Sequence, residues 1–201
     1  MSEKHYPLPT YVVANQFITI AKRKKVELTH EKLQYLVYLT HGFYLATSGA
    51  PLVNEPVLPG EYLFSSLRAI AHYSADGLAR AVIQPQDEEM HAVVMDDFRS
   101  NDLLLDLIEC VWSRYADLTD AEIIEECIAA TFSNRAAGNT PFETFHMATI
   151  VEMSISNALI YDYFRKLTEH MKVQNGDREA VVRNAVANRQ GKIITCNFGQ
   201  G

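Results

Sequence analysis

The clearest pattern in the chain is an apolar run of fifteen residues, LQYLVYLTHGFYLAT, from Leu33 to Thr47. It holds four aromatic rings and no Asp, Glu, Lys or Arg, and its polar side chains include Gln34 and His41. The run is shorter than the roughly 20 residues that cross a bilayer. It therefore predicts a helix that is buried on most of its faces rather than a membrane span.

Local signals set the ends of this helix. Thr29 is a typical N-cap residue, and Glu31 places a carboxylate in the first turn. Gly49, shortly before Pro51, is a typical stop signal. The sequence therefore predicts a helix from about residue 30 to residue 48.

Apolar residues recur at helical spacing in five more segments. Thr10 and Ser100 are candidate N-caps, and TDAE at Thr119 to Glu122 has the form of a capping box. The five segments are TYVVANQFITIAKRKK from Thr10, EYLFSSLRAIAHY from Glu61, SNDLLLDLIECVWSRYADL from Ser100, TDAEIIEECI from Thr119 and TIVEMSISNALIYDYFRKL from Thr149.

The helical pattern is interrupted in several places. Three prolines in PLVNEPVLPG predict an extended loop over residues 51–60, and Asn, Gly and Pro predict another over 133–142. The short apolar runs ARAVI and HAVVM within 79–97 favour a small hairpin or an irregular wall. In the tail, REAVVRNAVANR is a weak helical candidate and GKIITCNFGQG could form one strand.

Together these patterns predict a mainly α protein. We expect a single compact domain of about six helices around the apolar helix, with a small β or irregular insert. The expected divisions are a lead over residues 1–9, a helical domain over 10–168 and a tail or arm over 169–201.

Charge and cysteine content limit the classes of partner and the cellular compartments that we expect for this protein. The 201 residues carry a net charge of -7, which opposes broad nucleic-acid binding and suits a basic protein partner. Cys110, Cys127 and Cys196 are widely spaced and odd in number, as expected of structural thiols in a reducing cytoplasm. No signal peptide is apparent after Lys4. We therefore expect a cytoplasmic protein.

The sequence contains no recognisable catalytic or metal-binding motif. None of the seven histidines belongs to a zincin-type helix, and neither phosphate-binding glycine loops nor GxSxG occur. Adjacent carboxylate pairs such as Asp96 and Asp97 do not point at one substrate from a helix. We expect no enzyme activity, catalytic residue, metal or cofactor.

His41 and Gly42 interrupt the apolar helix and leave two interpretations open. A lone His on a buried helix is usually a core residue with satisfied hydrogen bonds, but it could also form a polar point in a binding groove. Gly42 costs about 1 kcal/mol of helix propensity relative to Ala. Such a cost is tolerated where another backbone or a ring must come close.

The order of the segments resembles the Panacea domain, a family also called SocA-like antitoxins. The front, Val12 to Pro56, is similar to it in VANQFI, in LTHEKLQYLVYLTHGFYLA and in GAPL followed by an acidic residue and proline. The resemblance continues through VWSRYADL and ALIYDYF to about Leu167. The turn LPGEYLFSSL departs from the family's GPV-type pattern, and the last thirty residues have no recognised counterpart.

The resemblance implies an antitoxin of a prokaryotic or phage toxin–antitoxin system. Such a protein neutralises a cognate protein toxin by direct binding, without catalysis, and contacts neither nucleic acid nor membrane directly. An alternative is a proteolytic adaptor that delivers a bound toxin to an AAA+ protease through the tail 175–201. A third is a small hydrolase or transferase with a site around His41 and the loop 133–142. The candidate partner-binding residues are Gln34, Tyr35, Tyr38, His41, Tyr44, Glu61, Tyr62 and Arg68.

Overall fold

A computed structural model describes residues 7–58, 63–71, 76–81, 83–85, 88–132, 154–174, 182–187 and 193–196. Across these residues the protein is compact and mainly helical, with seven α-helices and two short strands, which confirms the predicted fold class. The elements are α1 (Thr10–Lys24), α2 (His30–Ser48), α3 (Ser65–Ala71), α4 (Glu88–Ser100), α5 (Asp102–Tyr115), α6 (Asp120–Phe132), α7 (Asn157–Gln174), β1 (Val182–Ala187) and β2 (Ile193–Cys196).

Helix α2 corresponds to the apolar run, and both of its predicted ends are confirmed. The Thr29 hydroxyl accepts a hydrogen bond from the backbone N–H of Lys32 at 3.0 Å. Gly49 ends the helix with a left-handed φ of 73°, a conformation that favours glycine because it has no Cβ. Residues 33–45 are all buried, and α2 packs against α1, α3, α5, α6 and α7.

The proline-rich segment after α2 is a structured part of the core. Leu8 donates from its backbone N–H to the carbonyl of Leu52 at 2.7 Å and accepts from Asn54 at 3.0 Å. On its other side, Val57 accepts a backbone hydrogen bond from Ile155 at 2.8 Å. The segment is thereby fixed between the start of the chain and the approach to α7.

Helix α4 corrects part of the predicted insert over 79–97. HAVVM lies inside a helix, because Val94, Met95 and Phe98 project on one side toward the core. Glu88 and Glu89 stand in its first turn, where carboxylates match the positive end of the helix dipole. The β-branched valines suggested a strand, but tertiary packing decides this segment.

Two predicted N-caps are wrong and the capping box is confirmed. Helix α1 follows Pro9 without a side-chain cap, because Thr10 is already its first helical residue; the Thr10 hydroxyl donates to Glu55 at 2.8 Å. In α5 the Asn101 side chain, one residue after Ser100, accepts from the Leu104 N–H at 3.0 Å. Thr119 and Glu122 exchange the expected hydrogen bonds at 2.7 and 3.3 Å.

The C-terminal part differs from the predicted helices at two points. Helix α7 begins at Asn157, since Ile155 pairs with Val57 as a β-bridge; residues 149–153 of the predicted helix lie outside the described residues. In the tail, β1 forms where a weak helix was predicted and pairs antiparallel with β2. Both strands contact α5. The predicted strand is confirmed in β2, whereas the loop 133–142 lies outside the described residues.

Candidate functional site

The predicted partner-binding residues occupy very different environments. Arg68 is exposed on α3, while Glu61 and Tyr62 lie outside the described residues. The five candidates on α2 have at most 5% of their surface exposed, so a partner cannot contact them directly in this conformation: Gln34, Tyr35, Tyr38, His41 and Tyr44. A direct role for these five in partner binding stays a prediction that requires neighbouring elements to move.

His41 joins three parts of the fold. The backbone N–H of Val53 points at His41 Nδ1 over 3.4 Å, and His41 Nε2 lies 3.2 Å from Asn157 Oδ1. Because a backbone N–H can only donate, Nδ1 accepts, and the ring proton sits on Nε2 and is donated to Asn157. Burial lowers the pKa of His41 to about 4, against an opposing effect of the Asn157 hydrogen bond. His41 is therefore neutral and satisfied, which favours the core interpretation.

Gly42 provides the space for an aromatic ring from α7. A Cβ at residue 42 would overlap the ring atoms of Phe164. The same ring makes edge-to-face contacts with Phe43 and Tyr38, at centroid distances of 4.9 and 5.6 Å. The expectation that Gly42 admits a close ring is confirmed, and the helix-propensity cost is explained by this packing.

Two more polar side chains of α2 fix neighbouring segments. Gln34 Oε1 accepts from the backbone N–H of Phe64 at 2.9 Å, directly before α3. The hydroxyl oxygen of Tyr44 accepts from Asn101 Nδ2 at 3.2 Å, at the turn between α4 and α5. The polar groups of α2 thus position the elements around it.

Glu55, in the segment after α2, receives four hydrogen bonds. Its carboxylate accepts from the hydroxyls of Thr10, Ser65 and Ser66 and from the Ser66 N–H, at 2.6 to 2.8 Å. Burial alone would raise the pKa of Glu55, but the hydrogen bonds from Ser66, Ser65 and Thr10 hold it below its usual value. Glu55 therefore fastens the first turn of α3 to the start of α1.

Negative charge is concentrated in the region from α4 to α6. Residues 88–126 contain twelve Asp and Glu and two Arg, a net charge of -10 against -7 for the whole chain. The rest of the chain therefore carries +3. The carboxylates are mostly solvent-exposed, including Asp96 and Asp97 on α4 and Glu125 and Glu126 on α6.

The exposed side of α5 carries three of these carboxylates in one row. Asp102, Asp106 and Glu109 are spaced four and three residues apart, which aligns them on one helix face. Partial burial, followed by the negative charges of Asp102 and Glu109, raises the pKa of Asp106. Like charges at this spacing are mutually unfavourable, and a cationic partner would relieve that repulsion.

The basic end of α1 lies close to the same helix. Lys22, Arg23 and Lys24 occupy its last turn, where they match the negative end of the helix dipole. Arg23 lies 3.8 Å from Glu109, and the Lys24 ammonium lies 5.9 Å from the centre of the Trp112 ring. Helix α1 therefore ends in an exposed basic cluster that is matched to its own dipole and to groups of α5.

The described part of the chain offers neither a metal-binding cluster nor a membrane-spanning helix. Those residues contain no group of three His, Cys, Asp or Glu side chains able to hold a metal ion. None of the helices described is long and apolar enough to cross a membrane.

The cysteines do not share one state. Cys127 is a buried thiol that forms no disulfide, and burial raises its pKa, so it is protonated and unreactive. Cys110 is buried and disulfide-bonded, so the expectation of free thiols is wrong for it. Its state also removes the support that free thiols gave to a cytoplasmic location.

Sequence reasoning missed the partners of the polar groups on α2. Asn157 and Val53 complete the surroundings of His41, and Asn101 binds Tyr44. The acidic residue before Pro56 gave a partial signal for Glu55, because it belongs to the motif on which the family resemblance rests. Asn157 is 116 residues from His41, and no local pattern links the two.

Comparison of the chain with protein-family models, with curated proteins and with solved structures gives no match. The resemblance to the Panacea domain therefore rests on the quoted residues alone.

Proposed function

We propose that the protein is a non-enzymatic antitoxin of the Panacea type that neutralises a basic protein toxin by direct binding. The class of protein comes from the resemblance over Val12 to Leu167, which is densest in α1 and α2. The structural observation that supports direct binding is the concentration of exposed carboxylates from α4 to α6. Neither source of support involves catalytic chemistry.

The charge distribution indicates the kind of partner. A net charge of -10 over residues 88–126 attracts a cationic protein and raises its association rate. It repels the phosphates of nucleic acid, whose binding depends on Lys and Arg. In this proposal the acidic surface of α4 and α5 meets the toxin, and the buried α2 residues hold that surface in place.

Arg68 keeps a place in the proposal because it is exposed on α3. The α2 candidates act indirectly, since Tyr44 binds Asn101 at the turn from α4 to α5. Glu61 and Tyr62 remain sequence-based candidates for the same interface.

Co-expression tests the proposal. The product of the neighbouring gene should arrest growth when expressed alone and should be harmless, and co-purify, with this protein. Reversing charge with Asp96→Lys, Asp97→Lys and Asp106→Lys together should weaken binding at least tenfold and reduce its salt dependence. The matched control reverses three charges at Glu27, Asp162 and Glu169, because all three residues are exposed and lie outside the acidic region. A harmless neighbour, or equal binding by both variants, would contradict the proposal.

The same assay separates the two alternatives. Protection that survives deletion of residues 175–201, in cells without AAA+ proteases, contradicts a proteolytic adaptor. Protection that survives His41→Gln contradicts a hydrolase built around that imidazole. Loss of protection in either case would favour the corresponding alternative.

A further inference from the structure

The side chain of Gln34 is only half satisfied. It is fully buried, with no exposed surface, and its Oε1 accepts from the Phe64 N–H at 2.9 Å. Its Nε2 is buried, and the described residues place no acceptor within hydrogen-bonding distance of it. A carboxamide NH₂ group carries two hydrogen-bond donors, so Gln34 has unsatisfied donors in the interior.

The orientation of the amide is fixed by its surroundings. Rotating the group by 180° would bring Nε2 against the backbone N–H of Phe64, donor against donor. The oxygen must therefore face Phe64, and Nε2 must point the other way. The unsatisfied donor is a consequence of the backbone geometry at the start of α3.

A buried donor of this kind requires an acceptor. Buried polar groups are nearly always hydrogen-bonded to protein or to ordered water, because an unmet donor has lost its solvent without compensation. Ordered internal waters are a common solution and typically make about three hydrogen bonds. An ion is a poor ligand for this site. The uncharged amide offers an anion no counter-charge, and its N–H groups would face a cation.

We infer that Gln34 Nε2 binds one internal water molecule beside α2, on the side of the amide that faces away from the Phe64 N–H. The water accepts a hydrogen bond from Nε2. Just before α3, the backbone N–H of Leu58 donates to the carbonyl of Leu63 at 2.8 Å. The site depends on the contact between α2 and α3 and not on the proposed antitoxin function.

Water ¹⁷O relaxation dispersion tests this inference, because it counts internal waters with long residence times. The wild-type protein should show one more such water than Gln34→Met, which has a similar shape but no amide. Gln34→Glu should keep the water, since a carboxyl group retains an acceptor for Phe64 and a second oxygen for the water. Gln16→Met is the matched control, because Gln16 lies partly exposed on α1, and its count should equal that of the wild type.

Equal counts in the wild type and Gln34→Met would overturn the inference. If Gln34→Met does not fold, a crystal structure of the wild type at a resolution that shows waters decides the question. Electron density for a water within 3.5 Å of Nε2 would support the site, by the usual distance for a hydrogen bond. A protein acceptor in that position would overturn it.

Discussion

Helices α2 and α4 differ in how many of their faces are covered. Residues 33–45 of α2 are buried without interruption, whereas on α4 Phe98 is the one fully buried side chain among those described. Val93 on α4 is 62% exposed. On α2 the Gln34 oxygen, the His41 ring and the Tyr44 hydroxyl have defined partners inside the protein, while α4 presents Glu89, Asp96 and Asp97 to solvent.

This difference separates the framework from the candidate interface. Helix α2 is the most conspicuous segment of the sequence, but its aromatic rings and His41 make their contacts inside the protein. The less conspicuous α4 has surface to offer a partner. Apolar richness alone is therefore a poor guide to binding when the residues involved occupy the core.

The largest expected effect comes from filling the space next to Gly42. Gly42→Ala should lower the free energy of unfolding by about 4 kcal/mol, because the new Cβ overlaps the Phe164 ring and this outweighs about 1 kcal/mol of gained helix propensity. Urea unfolding measures the change. Phe164→Leu makes room for the Cβ, so the double variant should be more stable than the sum of the single effects predicts. Additive effects would show that the ring and the glycine are not coupled.

The next effect is a loss of stability in acid caused by His41. Its pKa is about 4 in the folded protein and 6.5 when unfolded, so the unfolded state binds the additional proton between these values. The contribution of neutral His41 to the free energy of unfolding is complete above pH 6.5. It is lost as the pH falls toward 4, by roughly 3 kcal/mol in total. Protonation would place an N–H at Nδ1 against the N–H of Val53. Denaturant unfolding across this range measures the loss.

His41→Gln is the control for this pH dependence, since Gln can still accept from Val53 and donate to Asn157 without titrating. His30 also has a pKa lowered by burial, opposed by the charge of Asp76, and contributes in the same direction in both proteins. The informative quantity is the difference between the two pH profiles. Identical profiles would mean that His41 is protonated equally in both states.

The smallest effect is expected on the exposed side of α4. Val93→Ala should change stability by less than about 0.5 kcal/mol, because the side chain buries little area. Phe98→Ala on the opposite side should cost about 3 kcal/mol, since Phe98 is 3% exposed. Thermal unfolding of the two variants compares the stability contributed by the exposed and the buried side of α4. Similar losses for both would show that Val93 is covered.

Local signals explain what the sequence could predict. The ends of α2 follow from Thr29 and Gly49, whose effects involve residues at most four positions away. The space at Gly42 was inferred from helix propensity, although the ring that fills it could not be named. The mainly helical class follows from periodicity repeated over several segments.

Long-range packing explains what the sequence could not predict. HAVVM has strand-forming valines, and only the contacts of Val94, Met95 and Phe98 with the core make a helix the better solution. Thr10 is a good N-cap by type, but it is the first residue of α1, and its hydroxyl donates to Glu55, 45 residues away. For the same reason, burial of the α2 candidates could not be read from their spacing.

The contact between Gly42 and Phe164 can form only late in translation. The two residues are 122 positions apart, and at about 5 to 20 residues per second the ribosome needs about 6 to 24 s to add them. During that interval α2 has been made, but the ring that covers it has not. Recovery of folded protein should therefore depend on translation speed and on chaperones that shield this helix until α7 emerges.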